Sequence, residues 1–117
     1  MSRHVIGLER ELREQGRRIV RLEGRSIGLF YAHGNWFAVR NKCPHQGAEL
    51  CRGTVSGTLM MTSQHELAYV MDGRILRCPW HGFEFDVATG QSLAAPDRLR
   101  VRTYPVTVED GRIVITV

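Results

Sequence analysis

Two five-residue words constrain this 117-residue chain more than anything else in it. The first is Cys43-Pro44-His45-Gln46-Gly47 and the second is Cys78-Pro79-Trp80-His81-Gly82. Each gathers a thiolate, an imidazole, a proline and a glycine. The spacing is C-x-H in one word and C-x-x-H in the other. A gap that short lets both side chains of a word face inward from a single tight loop. Proline fixes φ there and removes one backbone donor. Glycine supplies the positive φ or the close approach that such a loop needs. Two loops of this kind, facing each other, present two Cys and two His, a donor set for a metal centre.

The rest of the chain reads as short strands separated by turn signals. Residues 18–22 alternate weakly, 26–32 are rich in β-formers, and 36–40 follow after a Gly34-Asn35 turn. Residues 101–108 and 112–117 flank Asp110-Gly111, a strong hairpin signal. Pro105 inside the first of these predicts an edge position or a bulge. Residues 74–77 and 83–87 are two further strands, and Thr89-Gly90 turns the chain after them. Residues 8–15 are the only stretch with any helical character. They are nearly all polar, so little packing energy is on offer, and a short turn or loop is expected. The pattern predicts one antiparallel all-β domain.

Cys43, Cys51 and Cys78 cannot build a disulfide framework, because one is always left over. They read as ligands or packed thiols in a reducing compartment. The N-terminus has no apolar signal segment and no apolar run is long enough to cross a membrane, so a cytoplasmic protein with no membrane contact is expected. The formal charge is +4, and Lys42 is the only lysine among sixteen basic residues. Arginines and glutamates mostly alternate, with no block of like charge, which argues against nucleic acid as a partner.

The two words together resemble the Rieske [2Fe–2S] motif, in which two His replace two Cys on one of the irons. The resemblance extends to residues 34–50, 73–90 and 104–117, and covers the chain from about Gly16 onward. It implies three small antiparallel sheets, a Rieske-like fold with a cluster-binding subdomain (about 41–96) inserted in a basal β domain, all within a single domain (1–117). It implies one [2Fe–2S] cluster per chain. Cys43 and Cys78 would bind one iron, and His45 and His81 the other. The histidine edge would exchange electrons with partners docking near His45 and His81. The function implied is a ferredoxin-like one-electron carrier rather than an enzyme, with a reductase upstream and an oxygenase or reductase downstream. The alternative is a small iron–sulfur subunit of a multicomponent enzyme such as an assimilatory nitrite reductase. Zinc also accepts two Cys and two His, but C-x-H is tighter than the usual zinc-finger spacing.

Three departures from the family pattern are visible. The interval between the words is long, with the excess in residues 57–72; a longer hairpin is expected there, with a Met-rich docking flap as the other reading. The extra disulfide of the respiratory members is absent. Phe83 stands where those members place a serine that donates to a cluster sulfur. Without that hydrogen bond the potential is expected at the low end of the Rieske range, near about −150 mV. Pro96 matches a family loop that shields the cluster. Cys51 is expected to be a packed thiol, and His4, His33 and His65 surface residues. Trp80 is expected as a cover over the cluster or as core, and Trp36 and Phe37 as core. Arg98, Arg100 and Arg102 are expected on one face of a strand, as a solvated face or as a stripe steering an acidic partner.

Overall fold

The computed structural model describes residues 1–45, 47–80 and 82–117. In chain order the elements are β1 (Arg3–Leu8), α1 (Glu9–Gln15), β2 (Arg17–Leu22), β3 (Arg25–Ala32), β4 (Asn35–Arg40), a 3₁₀ turn (Leu50–Arg52), β5 (Thr54–Met61), β6 (Leu67–Arg77), β7 (Glu84–Asp86), β8 (Thr103–Tyr104), β9 (Val106–Glu109) and β10 (Arg112–Thr116). They form three antiparallel sheets with orders β1-β10-β9, β2-β3-β4-β8 and β5-β6-β7.

The central sheet is buried on both faces because its strands feed two cores. Along β3, Ile27 and Leu29 face one core and Phe30 the other. Along β4, Trp36 and Ala38 face the first of these, while Phe37 and Val39 face the second. That alternation follows from the two-residue period of a strand. One core joins the central sheet to Leu12, Ile113 and Ile115. The other joins it to Leu50, Leu76, Phe85 and Val101, and contains all three cysteines.

Two local expectations are corrected, and a third is refined. Residues 9–15 form a helix, not a loop. Its single apolar residue, Leu12, is buried against the N-terminal core, and burying one leucine contributes roughly 1.5–3 kcal/mol. Glu9 pairs with Arg13 one turn on, and Gly16 closes the helix at φ 73° by donating its N–H to the Leu12 carbonyl. The β3–β4 turn is centred on His33 and Gly34, both at positive φ, so Asn35 already opens β4. Pro105 takes the expected edge position, since β8 and β9 on either side of it are each the outermost strand of a sheet. It divides one run into β8, which pairs with β4, and β9, which pairs with β10.

The excess length between the two words is a hairpin, as expected: β5 and β6 pair out to Met61 and Leu67, with a register irregularity between Ser56 and Thr58. Leu59, Met61, Leu67 and Tyr69 share one face of this arm and are exposed. At its base the Gly57 N–H donates to the Tyr69 hydroxyl (2.6 Å), which donates to Asp72 (2.9 Å). His33 closes on the same carboxylate at 3.0 Å.

Candidate metal centre

The first loop leaves β4 and the second leaves β6. Both have the same backbone. The Cys43 N–H donates to the Ala48 carbonyl (2.8 Å), and the Gly47 N–H donates back to the Cys43 carbonyl (2.7 Å). The Cys78 N–H donates to the Phe83 carbonyl (2.8 Å), and the Gly82 N–H to the Cys78 carbonyl (3.0 Å). Gly47 and Gly82 take the left-handed conformation at φ 77° and 72°. The chain therefore writes one template twice: cysteine first, proline second, left-handed glycine fifth, closing carbonyl sixth.

Both cysteines lie at the inner ends of these loops. Cys43 is 1% exposed and Cys78 3%, and both belong to the same core. His45 sits on the outer side, exposed, with its ring stacked on Phe83 of the opposite loop at 4.2 Å between centroids and 29° between planes. Sulfur donors inside and an imidazole outside fit a two-metal group with unlike ends better than one tetrahedral ion. The residues present thus fit the implied cluster. The fourth expected ligand, His81, lies outside the described residues, as does Gln46. None of the three cysteines is in a disulfide.

Supporting residues that the sequence did not single out hold each loop. Asn41 accepts the Cys51 N–H (2.8 Å) and donates to the Ser26 hydroxyl (3.1 Å), tying the entrance of the first loop to β3. Arg17 donates to the carbonyls of Cys51 (2.8 Å) and Gly53 (2.6 Å). At the second loop Arg77 pairs with Glu84 (2.8 Å), which also accepts from Thr58 (3.0 Å). Arg74 pairs with Asp86 (2.6 Å), and the Asp86 carboxylate accepts the Ala88 N–H in the turn after β7 (2.9 Å). These partners come from distant segments and carry no motif.

Cys51 is a packed thiol, as expected. Burial, the largest influence, pushes it up to about 12. Trp80 is 61% exposed, which removes the core reading for it. His33 and His65 are exposed, and His4 pairs with Glu23 (2.7 Å). Leu93 and Ala94 line a cavity of about 240 Å³ with Gly82 and Phe83, so the segment before Pro96 flanks the second loop. Arg98 lies in a turn whose N–H donates to the Ala95 carbonyl, not on a strand face with Arg100 and Arg102. Those two instead line a groove beside His45. No helix is long and apolar enough to cross a membrane among the described residues.

The chain is 33% identical over 117 residues to the 3-phenylpropionate/cinnamic acid dioxygenase ferredoxin subunit of Photorhabdus laumondii, covering all of this chain and 96% of that one. It is 32% identical over 96 residues to the ferredoxin component of the naphthalene 1,2-dioxygenase system of Pseudomonas putida, covering 82% and 77%. Among solved structures it superposes on Sphingomonas yanoikuyae B1 ferredoxin with a TM-score of 0.64 at 33% identity, over 87% of this chain and 85% of that one. The Rieske [2Fe-2S] domain profile matches residues 2–105, beginning well before Gly16, where the sequence resemblance starts. With twin loops that bury two thiols beneath an exposed imidazole, the chain belongs to the Rieske [2Fe-2S] domain family, and its cofactor is a [2Fe–2S] cluster.

Proposed function

We propose that this protein is a ferredoxin that hands single electrons to an oxygenase component and is refilled by a reductase, the hydroxylation or reduction itself being done elsewhere. Cys43 and Cys78 would hold one iron of the cluster as thiolates, and His45 and His81 would hold the other through imidazole nitrogen. When bound, the cluster supplies one reversible electron. The chain's own residues do the rest. The buried cysteines fix the group and exclude water from its inner end. Phe83 orients the His45 ring, and the exposed loop tips bring the histidine edge to the surface, where partners dock near His45 and His81. Residues 41–96 form the cluster-binding part of a single domain, 1–117. The cytoplasm is the compartment proposed, since thiolate ligands are kept in a reducing environment.

The observation that carries this reading is the pair of loops closed by the same hydrogen bonds, with buried thiols and an exposed His45. The ferredoxin relatives, at 32–33% identity, support it. Redox potentiometry on the iron-loaded protein tests it. A one-electron couple near about −150 mV is expected, suited to donation toward an oxygenase. A strongly positive midpoint would point to a quinol oxidant instead. Stable co-purification with a large catalytic subunit would favour the iron–sulfur subunit reading over a freely dissociating ferredoxin.

A further inference from the structure

The groove beside His45 has a volume of about 420 Å³ and is lined by four cations, Arg40, Lys42, Arg100 and Arg102. Two separate segments build it. β4 ends at Arg40, whose N–H donates to the Arg102 carbonyl (2.8 Å), one rung beyond the Val39–Thr103 pair. That rung brings the 100–102 segment alongside the entrance of the first loop. Val101 turns inward and is buried, so Arg100 and Arg102 both point outward.

Among the described residues none of these four cations has a carboxylate at ion-pair distance, whereas Glu9, Glu49, Glu84, Asp86 and Glu109 are each engaged by an arginine elsewhere. The arginines and glutamates that alternate along the sequence therefore do not alternate on this face. Uncompensated like charges beside one another repel, and they attract an anionic surface from beyond contact range. The groove is open and is lined by these four cations on long side chains. That suits a broad surface more than a single small anion.

We propose that the redox partner of this protein docks through an acidic, Asp- and Glu-rich protein surface seated on the Arg40, Lys42, Arg100 and Arg102 groove beside His45. This rests on the electron-carrier reading and specifies the partner for that site.

The test is stopped-flow oxidation of the dithionite-reduced holoprotein by two small one-electron oxidants of opposite charge, hexacyanoferrate(III) and tris(phenanthroline)cobalt(III). One electron leaves the protein and reduces one Fe(III) or Co(III). From low salt to about 0.5 M, the rate with the anionic oxidant should fall about tenfold, and the rate with the cationic one should not fall. The Arg100→Glu/Arg102→Glu variant should lower the anionic rate at low salt about tenfold. An Arg10→Glu/Arg112→Glu variant carries the same change of net charge on exposed residues beside the β9–β10 turn, neither of them lining the groove, and should change it less than twofold. Poly-L-glutamate should slow the wild-type reaction with hexacyanoferrate(III) and leave the groove variant unaffected. A flat salt response, or equal losses in both variants, overturns the proposal. So does duplex DNA competing better than poly-L-glutamate at physiological salt, or saturable micromolar binding of inorganic phosphate. A preparation that accepts no electron from dithionite defeats the carrier reading together with the proposal. A redox-active protein with a flat salt response defeats the proposal alone.

Discussion

In both loops the cysteine N–H reaches the carbonyl five residues on, and a left-handed glycine returns a hydrogen bond to the cysteine carbonyl. Around the first loop stand Arg40, Lys42, Arg100 and Arg102, with no carboxylate at ion-pair distance among the described residues. Around the second, Arg77 is held by Glu84 and Arg74 by Asp86. On the proposed reading the buried side of the two loops presents two sulfurs to one group, a task that suits backbones held alike. The outer side is where partners are proposed to dock, and there the loops diverge. The first loop is flanked by cations, and the second is a braced wall whose Phe83 reaches across to stack on His45.

The largest effect falls on what the loops share. Cys43→Ala and Cys78→Ala should each reduce bound iron from about two atoms per chain to near zero, with loss of visible absorption. Retention of a full cluster by one variant would break the equivalence of the loops.

The second effect is special to the first loop, because Cys51 has no counterpart under the other. A Cβ on Gly28 would stand 2.3 Å from the Cys51 sulfur, so Gly28→Ala should cost about 1–3 kcal/mol in denaturant unfolding. The Cys51 thiol is raised from 9.0 to about 12 by burial. A group raised in the folded state contributes stability that is fully present below its unfolded value and is lost as pH rises through the folded one. Its contribution should therefore hold up to about pH 9 and fall away toward pH 12, and Cys51→Ala should flatten that alkaline slope. The same slope in Cys51→Ala and wild type would contradict the assignment.

Smaller and paired effects come from the loop glycines. Among the described residues nothing lies closer than 3.8 Å to a Cβ on Gly47 or 3.9 Å on Gly82, so the backbone is expected to set the cost. Gly47→Ala and Gly82→Ala should each lose about 1 kcal/mol, and by similar amounts. A large difference between the two would show that the loops are not held alike. Phe83→Ala should cost about 1 kcal/mol through loss of the ring stack. Phe83→Ser, which restores a hydroxyl at that position, should raise the midpoint potential in a potentiometric titration.

The smallest effect is at the arm, far along β6 from the second loop. The Tyr69 hydroxyl, and then His33, hold the Asp72 carboxyl below the usual carboxylate range. A lowered acid contributes stability above its unfolded value and loses it as pH falls through the folded one. Asp72→Asn should thus alter amide exchange at the base of the arm near neutral pH and leave iron content unchanged.

The β2–β3–β4 meander and the Asp110-Gly111 hairpin were legible because their turn residues and strand alternation are local. The two tight cysteine loops with their left-handed glycines were legible for the same reason, since each word is contiguous. What escaped depends on distant partners. β1 exists because β10 pairs with it, and α1 because Leu12 finds a core made mostly by the central and C-terminal sheets. Pro105 could be read as marking an edge, but not as the switch of the chain from one sheet to another. The arginine spacing suggested one stripe of three. The fold drops Arg98 into a turn and joins Arg100 and Arg102 to Arg40 and Lys42.

The central claim is that these two loops hold one [2Fe–2S] cluster with sulfur at the inner iron and imidazole at the outer one. Electron paramagnetic resonance of the anaerobically purified protein before and after dithionite tests it most directly, with iron and zinc measured on the same sample. The account predicts an oxidised protein that is silent and a Rieske-type signal on reduction, with about two irons per chain and nitrogen couplings from imidazole. A signal typical of all-cysteine ligation would contradict it. So would a colourless, zinc-containing protein that iron–sulfur reconstitution fails to convert.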